Sequence, residues 1–314
     1  MKIFKKKDYN RDSNETWLTR EQIGFFIFTK ENLLEKKYKL RIFDLIKEIE
    51  TLILPEKFNL LRVGWNKNSF INLTENNFKK FKNDFLKFEY FRQGDARTDK
   101  LGYEIDMKKD GGKNTSIGNF RIYIEIDGLI NYAPWEHRKG IGCHEISIFV
   151  PLNFPKKDKL IEIIKKKFTE FNCVYGYINP IISYNINPIE SIWVLNEYTK
   201  EKDGIFDVPD NIGNNDYYHN KIKGTQWGTF LTKEHIRQLG GIKKIREEFK
   251  DFIVEEVSKD ALYIQMSVSL SFDKKILVPQ HKRLAKLFKE IYMPKWSGSS
   301  TFSGVNEKFL RRFI

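Results

Sequence analysis

Residues 121–127 read RIYIEID, residues 145–152 EISIFVPL, residues 158–171 DKLIEIIKKKFTEF and residues 173–178 CVYGYI. In the first run Ile122, Ile124 and Ile126 alternate with Arg121, Tyr123, Glu125 and Asp127. A period of two is that of a strand, with the isoleucines inward and the polar set toward solvent. The second run is another strand. In the third, Leu160, Ile161, Ile164, Phe168 and Phe171 recur at three- and four-residue spacing. That is the inward face of an amphipathic helix whose outer face is rich in lysine. The fourth run returns to strand.

The same two periods extend outward. Residues 23–29 form a compact apolar run of β formers, and residues 58–65 a second. Between them Ile42, Leu45, Ile46 and Ile49 mark a helix over 40–54, stopped by Pro55. Thr74 caps a helix over 74–88 with Phe78, Phe81, Phe85 and Phe88 as its apolar stripe. Residues 92–118 are polar and contain glycine, which predicts a loop with short strands. Toward the C-terminus a helix over 232–249 is interrupted at Gly240-Gly241, strands follow at 252–257 and 261–270, and a helix covers 280–292. The sum is an α+β fold of mostly antiparallel sheets with helices packed on one face. A soft boundary at 128–142 allows two coupled lobes, 1–130 and 131–314, each α+β.

The chain has 314 residues, enough to bury a substantial core. Its composition excludes collagen-like, low-complexity and disulfide-scaffold proteins. Cys143 and Cys173 are too few for a zinc ribbon or a disulfide framework and suit a reducing compartment. The basic N-terminus is followed by polar residues 8–20, and the apolar run 23–28 is far shorter than the roughly 20 residues a bilayer requires. A cytoplasmic location without membrane contact is expected.

The net charge is +13 and it is unevenly placed. Residues 274–314 hold ten Lys and Arg against Glu290 and Glu307. Residues 201–216 hold Glu201, Asp203, Asp207, Asp210 and Asp216 against Lys202. Two explanations stand: lysines scattered by an AT-rich genome, or a functional field. The acidic residues lie in a stretch, 196–226, without periodicity, and structureless loops beyond about 15 residues are uncommon in compact domains unless functional. Asp203, Phe206, Asp207, Asp210, Asp216, Tyr217 and Tyr218 are therefore candidate partner-binding residues, aromatics among acids. The alternative is a surface insertion that packs those rings on its own body.

Catalytic signatures do not assemble. The sequence has no phosphate-binding P-loop, no Gly-x-Ser-x-Gly elbow and no kinase motif set, and Gly111-Gly112 and Gly240-Gly241 lack dinucleotide spacing. Glu136, His137, Cys143, His144 and Glu145 are metal-ligand types, yet no second half of a site appears at ligand spacing. Asp106 with Glu125-Ile126-Asp127 supplies acids for a metal-dependent nuclease, but Asp127 stands where a lysine is needed. Cys143 has His144 beside it, and neighbours along a strand face apart. The expectation is a non-enzyme with no catalytic residues, no metal and no cofactor.

Residues 224–231 read GTQWGTFL, and Leu239-Gly240-Gly241 follows eight positions later. Trp227, Phe230 and Leu231 would anchor the chain as it enters a helix capped by Thr232, and the glycine pair would end that helix. This stretch resembles the signature of the type VI immunity protein family, in which a Trp-x-Thr-x-Leu segment precedes a Leu-Gly-Gly turn. The tyrosine-containing segment 173–184 and a Trp/Tyr-rich helix at 191–198 fit the same pattern, and the likeness covers about residues 145–272. Phe302-x-Gly304 and residues 309–313, FLRRF, are similar to endings in a related immunity family of polymorphic toxin systems. The long acidic loop and the high charge are less typical.

The resemblance implies a non-enzymatic inhibitor that binds a cognate toxin or effector delivered between bacteria and blocks its active site or substrate access. Many neighbours of the family resemble nuclease toxins, which act in the cytoplasm. It carries over no catalytic residues. The acidic loop could reach into a toxin's basic nucleic-acid cleft, or the basic C-terminal region could grip an acidic partner. The rival expectation is a nucleic-acid-binding protein linked to phage or mobile-element defence, on Lys286, Phe288, Lys289, Tyr292, Lys295 and Trp296. Nothing in the sequence sets the oligomeric state.

Overall fold

Ten strands and six α-helices occupy the described residues of the computed structural model, which are 19–63, 70–88, 102–110, 118–127, 143–184, 205–207, 221–270, 273–292 and 313. The fold is α+β, as the two periodicities predict. The chain groups into two compact units: residues 26–173 form one, and 19–25 with 174–207 and 221–313 form the other.

The first unit contains α1 (Lys36–Ile53), β2 (Leu60–Val63), β3 (Ile71–Asn72), α2 (Glu75–Lys87), β4 (Gly102–Lys109), β5 (Phe120–Asp127), β6 (His144–Pro151) and α3 (Lys157–Glu170). Its strands lie in the order β3-β2-β4-β5-β6, with the C-terminal half of β1 (Thr19–Thr29) next to β6. The β2–β3, β2–β4, β4–β5 and β5–β6 pairs are antiparallel. The predicted Thr74 cap is present, its side chain accepting the Asn77 N–H at 3.2 Å. The phenylalanine stripe of α2 packs on α1, with Phe43 centred 6.2, 5.5 and 5.8 Å from Phe78, Phe81 and Phe85. Burying such rings, at about 25 cal/mol per Å² of apolar surface, is what holds these helices in place.

The second unit contains β7 (Cys173–Tyr184, from Val174 on), β8 (Gly228–Thr232), α4 (Lys233–Gln238), α5 (Ile242–Glu248), β9 (Ile253–Ser258), β10 (Ala261–Gln265), α6 (Lys274–Phe288) and a 3-10 turn (Lys289–Ile291). Here the N-terminal half of β1 lies beside β7, and the order continues β8-β10-β9. β7–β8, β8–β10 and β9–β10 are antiparallel.

One expectation is corrected. The polar side of β5 is not a solvent face: Arg121 and Tyr123 are buried. The reason is β4, an eight-residue strand between β2 and β5 where the sequence predicted a loop with short strands. β4 brings Asp106 to Arg121 and Arg62. Arg121 donates from Nε and Nη2 to Asp106 at 2.8 and 2.9 Å, and Arg62 adds a third bond at 2.9 Å. A carboxylate with 0% exposure has no water to bond to, and these paired donors take its place. Lys108 follows two residues later on the same side, equally buried, its ammonium 3.9 Å from the centre of the Phe70 ring. Burial pushes Lys108 down to about 7, and the nearby Asp106 only partly offsets this. Burial likewise lowers His144 to about 4 and raises Glu104.

The sign for Lys108 is fixed by that depression. In the unfolded chain a lysine keeps its proton to about pH 10.4, so between pH 7 and pH 10 unfolding takes up a proton and stability rises with pH. The slope from this one group is at most about 1.4 kcal/mol per pH unit. Denaturant unfolding of wild type and Lys108→Met at pH 7 and pH 9 should show the variant's pH dependence flatter than that of wild type. Parallel profiles would contradict the depressed value.

Candidate partner interface

The signature region is built into the core of the second unit. Residues 228–232, predicted as a run-in to a helix, are the strand β8, paired on both sides. Alternation fails to reveal it because Gly228 through Leu231 are all buried. Gly228 is required by proximity: a Cβ there would stand 2.7 Å from the Tyr263 hydroxyl. Trp227, 1% exposed, donates its main-chain N–H to Asn179 Oδ1 at 2.9 Å and its indole N–H to Ser267 Oγ at 3.2 Å. Its carbonyl accepts from Met266 N–H at 2.9 Å.

α4 starts where predicted. The Thr232 N–H donates to His235 Nδ1 at 3.2 Å, and the opposite ring nitrogen lies 3.3 Å from the Lys221 carbonyl. Gly240 and Gly241 have φ of +92° and +94°, the left-handed region that ends a helix at little cost only with glycine. The signature is therefore framework, and its importance lies in what it holds.

It holds the base of the acidic stretch. Of the candidate contact residues, Phe206 and Asp207 are described, and both are buried, at 3% and 0% exposure. Asp203, Asp210, Asp216, Tyr217 and Tyr218 lie outside the described residues. Asp207 joins β7 by its main chain, N–H to the Pro180 carbonyl at 2.8 Å and carbonyl from the Ile182 N–H at 2.9 Å. Its Oδ2 meets Lys223 Nζ at 3.2 Å and accepts from Gln226 at 3.1 Å. Both members of that ion pair are almost wholly buried. The other flank of the stretch is also tied down: Lys221 Nζ donates to the Glu290 carbonyl at 3.1 Å, and the Ile222 N–H to the Ile291 carbonyl at 2.8 Å. Near them His281 lies 3.0 Å from the Thr225 hydroxyl and stacks on Phe313 at 4.3 Å. Sequence reasoning missed Asn179, Lys223 and Gln226, which converge only through the pairing of distant segments.

The remaining sequence candidates are not brought together. Cys143 and Cys173 are buried, and burial raises the Cys173 thiol well above its usual value, the opposite of a nucleophile's need. His144 and Glu145 are buried, and Ser147 donates to Glu145. Glu136 and His137 lie outside the described residues. Among the described residues no group of His, Cys, Asp and Glu is placed to hold a metal ion. Asp106 is occupied by its two guanidiniums. A cavity of about 410 Å³ between α1 and α3 is lined by charged side chains that pair with one another: Lys167 sits 3.0 Å from Glu48 on α1 and 2.9 Å from Glu170 on its own helix. No helix among the described residues is long and apolar enough to cross a membrane.

Comparison with known proteins adds two findings. A solved structure of the Pseudomonas aeruginosa T6SS protein PA0821 superposes with a TM-score of 0.71, covering 98% of this chain and 88% of that one at 14% sequence identity. At that identity the likeness is one of fold. No curated protein matches the chain in sequence. The family model TsiV, described as type VI immunity for VRR-NUC, matches residues 196–313. That stretch contains the Trp-x-Thr-x-Leu and Leu-Gly-Gly elements and the base of the acidic segment, and the resemblance of this chain to the type VI immunity family is thereby shown.

Proposed function

We propose that this chain is a non-enzymatic immunity protein that acts in the cytoplasm by binding a VRR-NUC nuclease effector and covering its substrate site. The observation that carries the proposal is the match of residues 196–313 to the immunity family for that nuclease type. The framework supports it. A standard protein–protein interface buries about 1,200–2,000 Å², and an inhibitor of that size needs a rigid body rather than a reactive group. A nuclease must attract phosphates, so its substrate groove is basic. Acidic side chains at 201–216, on a segment held at Asp207 and Lys221, complement such a groove and would speed association. In this account Phe206 and Asp207 fix the base of the segment, and contact falls to Asp210, Asp216, Tyr217 and Tyr218.

Bacteria expressing an active VRR-NUC effector should lose viability, and co-expression of this chain should restore it. Persistent killing in the presence of folded, abundant protein would contradict the proposal. Replacing residues 208–220 by a short neutral linker should weaken inhibition at least about tenfold, which corresponds to 1.4 kcal/mol. Undiminished inhibition would move the contact elsewhere.

The anchor has its own test. Asp207→Asn leaves the Lys223 cation buried beside a neutral amide and should cost about 3–5 kcal/mol in denaturant unfolding. Adding Lys223→Met should recover much of that loss, because no buried charge then remains. Equal loss in the single and double variants would show that the ion pair is not what holds the segment.

A further inference from the structure

Helix α6, like α5 and unlike α4, has no acidic residue in its first turn. Asp273 caps it, its side chain accepting the Lys275 N–H at 2.8 Å, yet no acidic residue occupies the first turn, and Lys274 and Lys275 stand there instead. Cations at a helix N-terminus oppose the helix dipole, so this placement does not serve the helix.

The outward face continues in the same sense. Leu277, His281, Leu284, Ala285 and Phe288 are the buried side of α6. On the opposite side Lys275, Lys282, Lys286 and Lys289 are exposed, and their spacing puts them in one stripe. At about 1.5 Å per residue the first three span roughly 16 Å. One arginine on each of α4 and α5 has an acid: Arg237 pairs with Glu234 at 2.6 Å, and Arg246 with Glu256 at 2.6 Å. Lys275, Lys282 and Lys286 form no ion pair among the described residues, whereas Arg283 beside them is taken by Asp251 at 2.6 Å.

Apolar groups flank this stripe. Ile276 is 47% exposed and Val268 80% exposed. Gln280, one turn after Ile276, donates to the Met266 carbonyl at 3.2 Å, which brings the 266–268 turn to the Ile276 flank of the helix. The turn is fixed from below, because Ser267 Oγ accepts the Trp227 indole N–H and itself donates to the Ser269 carbonyl at 2.8 Å. Exposed aliphatic side chains beside cations are the pattern of a protein interface, an apolar centre with a charged rim. A phosphate backbone would leave Ile276 and Val268 without purpose, and the stripe itself carries no aromatic ring for base stacking.

We infer that the exposed face of α6, with Val268, is a docking surface for an acidic, partly apolar patch on the protein that this chain inhibits. The inference rests on the inhibitor reading above and adds a second contact, opposite in charge to the acidic segment. A partner bound at both is oriented as well as attracted, because a single-sign field attracts without fixing register.

The experiment measures binding of a purified VRR-NUC effector to wild type, to Lys275→Glu/Lys282→Glu/Lys286→Glu, to Ile276→Ser, and to a control of equal charge change on α2, Lys79→Glu/Lys80→Glu/Lys87→Glu. Melting temperatures are recorded throughout, and a short mixed-sequence DNA duplex serves as a second probe. The stripe variant should bind the effector at least about tenfold more weakly, with a flatter salt dependence of the association rate and an undiminished melting temperature. Ile276→Ser should dissociate faster, and the α2 control should match wild type. Equal affinity of stripe variant and wild type would overturn the docking surface while leaving the inhibitor reading intact. Absence of wild-type binding to the effector would overturn both. Duplex binding at physiological salt that depends on the stripe, with effector binding unaffected by it, would assign the face to nucleic acid and overturn the inference.

Discussion

Trp227 is the point on which the second unit depends. Three hydrogen bonds tie it to Asn179, Met266 and Ser267, and its ring is sealed from water. Burial of an indole of this size is worth on the order of 4–6 kcal/mol. The same Asn179 that receives the Trp227 N–H also reaches the Ile205 carbonyl at 3.4 Å, next to the buried Phe206 and Asp207. One tryptophan therefore registers β8 against β7 and, through a shared asparagine, sets where the acidic segment leaves the core. A signature with no chemistry of its own acquires a function in this way: it fixes the origin of a surface.

The first unit solves a different problem. Its sheet carries charge on one side, and that side is buried around Asp106. Two arginines satisfy one carboxylate, and Lys108, on the same side, sits under burial that favours its neutral form. Such an arrangement contributes little net stability relative to an apolar core, but it punishes any shift in strand pairing, because a shift would leave an ion buried without its partner. The register of β2, β4 and β5 is thereby made specific. The same pairing removes Asp106 from metal chemistry.

Much of the fold was legible because water lies on one side of most elements. The stripes of α1, α2 and α3 have polar opposite faces, so a period near 3.6 survives in the sequence. β8 was not legible as a strand, since Gly228 to Leu231 are buried on both faces and leave no alternation to see. β4 does alternate, Tyr103, Ile105 and Met107 against Glu104, Asp106 and Lys108. Its polar set made it resemble a loop, and only the pairing of Asp106 with Arg62 and Arg121 shows that charged residues belong inside. The candidate interface was half legible. Composition marked the acidic stretch and the basic C-terminal region, whereas the anchoring of Asp207 by Lys223 joins positions that no local pattern connects. The exposed stripe of α6 was visible as charge, but that Lys275, Lys282 and Lys286 have no ion pair among the described residues appears only once their neighbours are placed.

An inhibitor that covers a nuclease's substrate site acts by stoichiometric occlusion. The most direct measurement titrates a fixed concentration of VRR-NUC effector, cutting duplex DNA, with increasing amounts of this purified chain. Activity should fall in proportion to added protein and vanish near equimolar amounts. Full activity at large excess would contradict it, and so would complete loss at a small fraction of equimolar, which is the behaviour of a catalyst rather than a cover.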